Sequence, residues 1–192
     1  LGLELLDIDI RELIDEVGKV GDIQLPQQAS SIIASLREDA PDTVRKYVEG
    51  AVNIYAALRS MVARHGLSGL TIRCFDLLDT VGNTGRLALA LLNSEGIPSS
   101  CEGDVPALLS MAIGNALTGR SGFQANPSQI DPVAGTMLLA HCTIPFNMVE
   151  RYSYNTHFES GIGVAIHGEM AEGDVTVFKT SADLERTLCE EA

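Results

Sequence analysis

The sequence predicts an α/β fold, in which a parallel α/β layer is followed by a smaller β-rich domain. Helical and strand patterns alternate along the chain up to about residue 117, as in parallel sheets whose strands are joined by helices. Later apolar runs are short, β-branched and separated by glycines. The chain is 45% hydrophobic, which is enough apolar material for a packed core. We therefore expect an α/β domain over residues 1–117 and a β-rich domain over residues 118–192 that ends in a helix.

The first part of the chain predicts one strand followed by helices. LELLDIDI, at residues 3–10, alternates and becomes β-branched, which favours a strand. IRELIDEVGKV then places its apolar residues on one helical face, and a short helix is expected at residues 30–38. Residues 42–66 have the longest helical pattern, because their apolar residues recur at intervals of three and four.

The remaining elements alternate before they become mainly strands. GLTIRCF and IPSSC predict two strands. The first is followed by a helix in NTGRLALALLNSEG, and the second by a helix in DVPALLSMAIGNALTG. Further strands are expected in TMLLAHC, GVAIHGEM and DVTVFK, and a terminal helix over residues 181–191. The glycine-containing stretches VGNTG and SGIGVAIHG fit no nucleotide-binding motif and predict turns.

Charge and composition exclude some classes of partner. The net charge is −13, and the few basic residues are scattered, whereas a nucleic-acid-binding protein needs a basic surface. No apolar run approaches the roughly 18–20 residues of a membrane span. The four cysteines form no CxxC pair, so we expect reduced thiols in a cytoplasmic protein. The chain begins without Met, and its first residues look like the interior of a fold, so we expect a piece of a longer protein.

Two predicted strands end at residues that can carry chemistry, where α/β folds place their ligands. Arg73 follows TI, and its side chain is expected either to face solvent or to contact an anion or a sugar hydroxyl. Glu102 lies at the other strand end and is interpreted as a solvated loop residue, a metal ligand or an acid/base. Asp104 precedes a helix with Pro106 in its first turn, which favours a helix N-cap.

Two histidines are candidate ligands. His141 follows an apolar run, where a histidine is either a hydrogen-bonded core residue or a ligand. His157 lies in a polar stretch with Asn155 and Glu159, and a histidine beside a carboxylate suits a divalent metal. Their spacing matches no strict zinc motif.

The stretch TIRCFDLLDTVGNTGRLALALLNSEGIPSSCEGDVPALLSMAIGNALTGRSGFQAN resembles the L-fucose isomerase family and, more distantly, L-arabinose isomerase. The likeness is clearest over residues 71–126 and continues more loosely through LLAHCTIP and HFESGIGVAIHGEMAEGDVTVFK. The linked pattern consists of the CEGD turn, the helix ending in LTG and the FxAN that follows.

The resemblance implies an enzyme that converts aldoses to ketoses with a divalent ion, usually Mn²⁺, and that assembles as a homo-oligomer. It implies α/β domains followed by a C-terminal β-barrel-like domain. The family's metal-binding Glu falls on Glu102, and its catalytic Asp falls on Asn126. This departure matters, because an amide oxygen can bind a cation but cannot act as a general base.

The resemblance also implies roles for other residues. Either Glu102 then moves the proton alone, or Asp131 or Asp104 replaces the missing base. The family's C-terminal histidine ligand falls on either His157 or His141. We predict Glu102 and Asn126 as catalytic residues and, with His157, as metal ligands. Arg73, Asp131 and His141 are predicted to contact a small-molecule sugar. Two alternatives stay open: a non-catalytic relative that binds a sugar or metabolite, and an inert fragment of a larger isomerase.

Overall fold

The computed structural model describes residues 3–21 and 24–192, which form a mixed α/β structure. The helices are α1 (Ile10–Val17), α2 (Gln27–Asp39), α3 (Asp42–Arg45), α4 (Val48–His65), α5 (Asp76–Val81), α6 (Arg86–Ser94) and α7 (Val105–Thr118), with a 3-10 helix at Phe146–Met148. The strands are β1 (Leu70–Thr71), β2 (Ser99–Ser100), β3 (Asn126–Asp131), β4 (Thr136–Ala140), β5 (Arg151–Asn155), β6 (Ala165–Glu169), β7 (Thr176–Thr180) and β8 (Thr187–Glu191).

The core is centred on α4 and α6, which pack against each other. Helix α6 is buried on every side from Arg86 to Asn93, whereas α4 keeps an outer face. Tyr55 of α4 donates a hydrogen bond to Glu95 after α6, and the Arg59 guanidinium lies 2.9 Å from the same carboxylate. Each buried leucine side chain contributes roughly 1.5–3 kcal/mol to the stability of the folded state.

Within the described residues, no helix combines the length and the apolar character needed to cross a membrane.

The parallel layer is smaller than the sequence predicts. Strands β1 and β2 pair in parallel over only two residues each, with Leu70 opposite Ser99 and Thr71 opposite Ser100. The first strand is short because the chain turns after it, and the N–H of Asp76 donates to the carbonyl of Arg73 as α5 begins. The layer therefore consists of helices around two short strands.

The prediction of four reduced thiols is wrong for two of the cysteines. Cys74 follows β1, Cys101 follows β2, and their sulfur atoms are joined in a disulfide with the Cα atoms 6.1 Å apart. The parallel pairing brings the two strand ends together, which the spacing of the cysteines along the chain does not reveal. Cys142 and Cys189 are free thiols.

The later strands form three antiparallel pairs, β3–β4, β5–β6 and β7–β8, each a separate two-stranded sheet. No closed barrel is present among residues 3–21 and 24–192, so the expected barrel-like arrangement is wrong there. The division at residue 117 stays a prediction. The core itself continues past that point, because Ile144, Tyr154 and Val164 belong to the same apolar cluster as the helices.

Two predicted elements are wrong. Residues 3–9 form no strand and are irregular. The side chain of Asp9 accepts a hydrogen bond from the N–H of Arg11 and caps α1. The expected terminal helix over residues 181–191 is instead a turn followed by β8, which pairs with β7. This pairing satisfies the backbone groups of β8 through a partner strand, so a helical residue pattern does not produce a helix there.

Candidate functional site

Glu102 lies in a tight turn directly after β2. Its φ is 68° and that of Gly103 is 67°, a left-handed conformation that is costly for any residue with a Cβ. The turn packs closely on the residues that follow β1, since the N–H of Gly103 donates to the carbonyl of Ile72 at 3.0 Å and a Cβ on Gly103 would lie 3.2 Å from Arg73 Cγ. The Glu102 side chain is 38% exposed.

Gln124, which no sequence pattern marks as a site residue, holds this turn from the other side. Its buried Oε1 accepts a hydrogen bond from the N–H of Cys101 at 2.7 Å, and its Nε2 lies 3.5 Å from the carbonyl oxygen of the same residue. The FxAN pattern contained this residue, but only the tertiary contact shows that its amide fixes the position of Glu102.

His141 faces Glu102. Its Nε2 lies 3.7 Å from Glu102 Oε1, and its Nδ1 lies 2.8 Å from Thr143 Oγ1. The pKa of His141 is lowered to about 4, mainly by burial of the ring and further by the positive charge of Arg86 and the neighbouring His157. The imidazole is therefore neutral at pH 7, and the pair combines a carboxylate with a neutral ring that can donate or accept a hydrogen bond.

His157 is also buried, and its ring lies close enough to Arg86 to be affected by the charge of the guanidinium. Its Nε2 lies 3.7 Å from Glu159 Oε2, and its Nδ1 lies 3.0 Å from Ser160 Oγ. Burial lowers its pKa, Arg86 lowers it further, and Glu159 acts in the opposite direction. The ring makes edge contacts with Phe75 and Phe158, whose own rings are exposed. Two aromatic side chains thus border the histidine on its solvent side.

Arg86 links these groups and was not singled out from the sequence. It is the first residue of α6 and is only 2% exposed. Its Nη1 lies 3.7 Å from Cys101 Sγ, and its Cζ lies 5.8 Å from the centre of the Phe75 ring. The signal in the sequence was an arginine directly after the VGNTG turn, at a helix start. That turn is confirmed, with Gly82 at a φ of 63° ending α5 and Gly85 preceding α6.

We call this group the Glu102 cluster; it consists of Arg86, Glu102, His141, His157 and Glu159. They interact through charge as well as contact, because Glu102 and Glu159 both act on the pKa of Arg86, which burial lowers. Carboxylates and neutral imidazoles are suitable ligands for a divalent transition metal. However, no three His, Cys, Asp or Glu side chains within the described part of the chain lie close enough together to hold one ion.

The structure brings only some of the predicted site residues together. Glu102 and His141 are neighbours, with His157 nearby. Asn126 is exposed at the start of β3, where it pairs with Ala140, and Asp131 accepts hydrogen bonds from the backbone of its own hairpin turn. Arg73 has its side chain 76% exposed and forms a surface ion pair with Asp76 at 3.2 Å.

The described contacts therefore do not join Asn126, Asp131 or Arg73 to Glu102, and their roles stay predictions. Asp104 is confirmed as an N-cap, because its Oδ1 accepts from the N–H of Ala107 at 2.8 Å.

Comparison with known proteins places the chain among relatives of sugar isomerases. Sulfoquinovose isomerase from Clostridium sp. (strain MSTE9) is 30% identical over 73% of this chain and 32% of its own length. The protein of the same name from Alkalicoccus urumqiensis is 27% identical over 74% of this chain and 32% of its own. That from Priestia aryabhattai is 24% identical over 94% of this chain and 42% of its own. No family model matches the chain.

These matches support a relationship to sugar isomerases, and none of the three proteins is named as an L-fucose or L-arabinose isomerase. The matched part of the chain spans 32–42% of the length of these relatives.

Proposed function

We propose that the protein containing this chain is an aldose–ketose isomerase whose substrate is sulfoquinovose or a closely similar sulfonated hexose. The Glu102–His141 pair at the end of β2 carries the proposal, because it places a partly exposed carboxylate 3.7 Å from a buried neutral imidazole. The names of the relatives supply the substrate class. The likeness to L-fucose isomerases supports the same type of reaction and adds a cytoplasmic homo-oligomer to the proposal.

Aldose–ketose isomerisation moves a proton between neighbouring carbons. In the proposed reaction, the Glu102 carboxylate removes the proton from the carbon beside the aldehyde, forming an enediol, and returns a proton to the former carbonyl carbon. A hydroxyl proton moves between the two oxygens in the same sense, so no oxidant or reductant is consumed. In the same proposed reaction, neutral His141, whose Nδ1 lies 2.8 Å from Thr143 Oγ1, hydrogen-bonds to these oxygens.

Mn²⁺ stays within the proposal as a group that would polarise the carbonyl oxygen. Glu102 and the two histidines supply suitable ligand types, but their described positions do not group three ligands around one point. They therefore do not form a complete metal site, and the proton transfer above runs through the chain's own residues alone.

The test is a panel of aldoses with the full-length protein, including sulfoquinovose, glucose, L-fucose and L-arabinose, each with Mn²⁺ and with EDTA. Ketose formation is followed by NMR. Glu102→Gln is expected to lower kcat by about 10²–10⁴-fold, the usual contribution of a positioned acid/base. Glu172→Gln is the matched control, since Glu172 is exposed.

Equal turnover in wild type and Glu102→Gln would refute the role of Glu102. Tight sugar binding without turnover of any aldose, in Mn²⁺ or EDTA, would instead identify a non-catalytic binding protein. Turnover that persists in EDTA would remove the metal from the proposal.

A further inference from the structure

The N-terminus of α6 is buried, and no side chain in the described part of the chain caps it. The backbone N–H groups of Arg86, Leu87 and Ala88 have no acceptor among the described residues. All three residues are buried. Helix N-termini leave several N–H groups free, and water or a capping side chain normally satisfies them. A buried end without such partners has unused hydrogen-bond donors in the protein interior.

Two side-chain atoms at the same helix end also lack hydrogen-bond partners among residues 3–21 and 24–192. Thr84 Oγ1 and Arg86 Nε are among the few buried side-chain polar atoms of the described residues that make no hydrogen bond. Thr84 and Arg86 are each 2% exposed. Buried polar atoms are almost always hydrogen-bonded in proteins, so two such atoms on one turn indicate donors that await an acceptor.

The loop that carries these donors is held in place. Asn83 Oδ1 accepts from the N–H of Thr84 at 2.8 Å, and Asn83 Nδ2 donates to the carbonyl of Tyr47 at 2.7 Å. Gly163 lies directly against Thr84, since a Cβ at Gly163 would be 2.3 Å from Thr84 Oγ1. The free donors are therefore not the result of an unsupported loop.

The positive charge of Arg86 also lacks a direct ion-pair partner in the part of the chain that the structure describes. No carboxylate within the described residues lies within 4.0 Å of its guanidinium, although Glu102 and Glu159 are close enough to act on it. A buried cation without a paired anion is costly. An anionic ligand with several oxygens would satisfy the guanidinium, the hydroxyl and the free N–H groups together.

We propose that the N-terminus of α6, with Thr84 and Arg86, binds the sulfonate of the substrate. Helix N-termini and arginine are the usual protein donors to oxyanions, and every unpartnered group here can donate. Identification of the anion as a sugar sulfonate depends on the proposed function. Because Glu102 and Arg86 belong to one cluster, the same sugar can place its carbonyl end at Glu102 and its sulfonate at α6.

The test compares a charged and a neutral substrate. In the full-length protein, Arg86→Met is expected to lower kcat/KM for sulfoquinovose relative to that for glucose by about 10–100-fold, as for loss of a hydrogen bond to a charged group. The loss should appear mainly in KM. Arg151→Met is the matched control, because Arg151 forms only an exposed surface pair with Glu169.

A second measurement does not require turnover. Methanesulfonate binding to the full-length protein is followed by calorimetry in wild type, Arg86→Met and the nearly isosteric Thr84→Val. Binding is expected to weaken by about tenfold or more in both variants. Thr84→Val keeps the test valid if Arg86→Met does not fold.

An equal loss of kcat/KM on glucose and sulfoquinovose, or methanesulfonate binding unchanged in the folded variants, would overturn the sulfonate site. If no sugar is isomerised but methanesulfonate binding still depends on Thr84 and Arg86, the proposed function fails while the anion site stands. If isomerisation depends on Glu102 but the preference for sulfoquinovose is unaffected by these variants, the proposed function stands and the sulfonate site fails.

Discussion

His141 and His157 illustrate how burial decides chemistry at the scale of single residues. Both are nearly inaccessible, and burial lowers the pKa of each, with Arg86 adding to the effect. His167, by contrast, is exposed on β6. The same residue type therefore serves as a neutral hydrogen-bonding group at the Glu102 cluster and as a surface residue elsewhere.

The lowered pKa of His141 predicts a loss of stability in acid. Its folded pKa of about 4 lies below the ordinary value of 6.5, so the unfolded chain binds the proton more readily over this range. The free energy of unfolding should therefore fall as the pH decreases from about 6.5 towards 4, by at most about 1.4 kcal/mol per pH unit for this residue.

Urea unfolding of the full-length protein between pH 7 and pH 5 measures this slope. His141→Gln should show a shallower pH dependence than wild type, because the buried titrating group is gone. His167→Gln is the control and should retain the wild-type slope. Identical slopes in His141→Gln and wild type would show that His141 does not cause the loss.

At the scale of elements, α7 shows how an N-cap also connects two parts of the fold. Asp104 Oδ1 accepts from the N–H of Ala107, while its Oδ2 lies 3.1 Å from Lys179 Nζ of β7. A second contact joins the same elements, since the N–H of Thr180 donates to Ser110 Oγ of α7 at 3.0 Å. The β7–β8 hairpin is therefore attached to α7 by two polar contacts.

Asp104→Ala is expected to lower the free energy of unfolding by about 1 kcal/mol, mainly through the lost cap. Asp104→Asn keeps a good capping group but removes the charge, so it should cost less than the alanine variant. Lys179→Met measures the partly exposed ion pair alone, which should contribute at most about 1 kcal/mol. A cost in Asp104→Asn as large as in Asp104→Ala would assign the effect to the ion pair instead.

At the scale of the whole molecule, the β3–β4 hairpin stands apart from the core. All five residues of β4 are exposed, and Val133 at its turn is 97% exposed. Apolar side chains such as Ile130 and Leu138 also face outward. Little apolar surface of the hairpin is buried against the described helices, so it should contribute little to their stability.

Replacing residues 127–139 with an Asn-Gly turn tests this separation, because Asn126 and Ala140 already pair across the hairpin. The free energy of unfolding of the full-length protein should change by less than about 1 kcal/mol. Leu89→Ala, in the fully buried α6, is the comparison and should cost about 2–5 kcal/mol. A hairpin replacement as damaging as Leu89→Ala would show that the hairpin packs on another part of the protein.

Much of the local structure could be predicted from the sequence, because it follows from local patterns. The helix over residues 42–66 appears as α3 and α4, and the capping of α7 by Asp104 is confirmed. The wrong predictions concern pairing between distant segments. The terminal strand β8, the Cys74–Cys101 bond and the absence of a closed barrel among the described strands all depend on which strands meet.

By itself, the sequence determined the mixed α/β character, the position of Glu102 at a strand end, and the relationship to sugar isomerases. These features follow from periodicity, turn residues and linked motifs, which depend only on residues close together in the sequence. Only the tertiary structure decided that His141 and Arg86 join Glu102, and that Asn126 lies on an exposed hairpin. Burial and unpartnered donors arise from contacts between segments far apart in sequence, which no local pattern encodes.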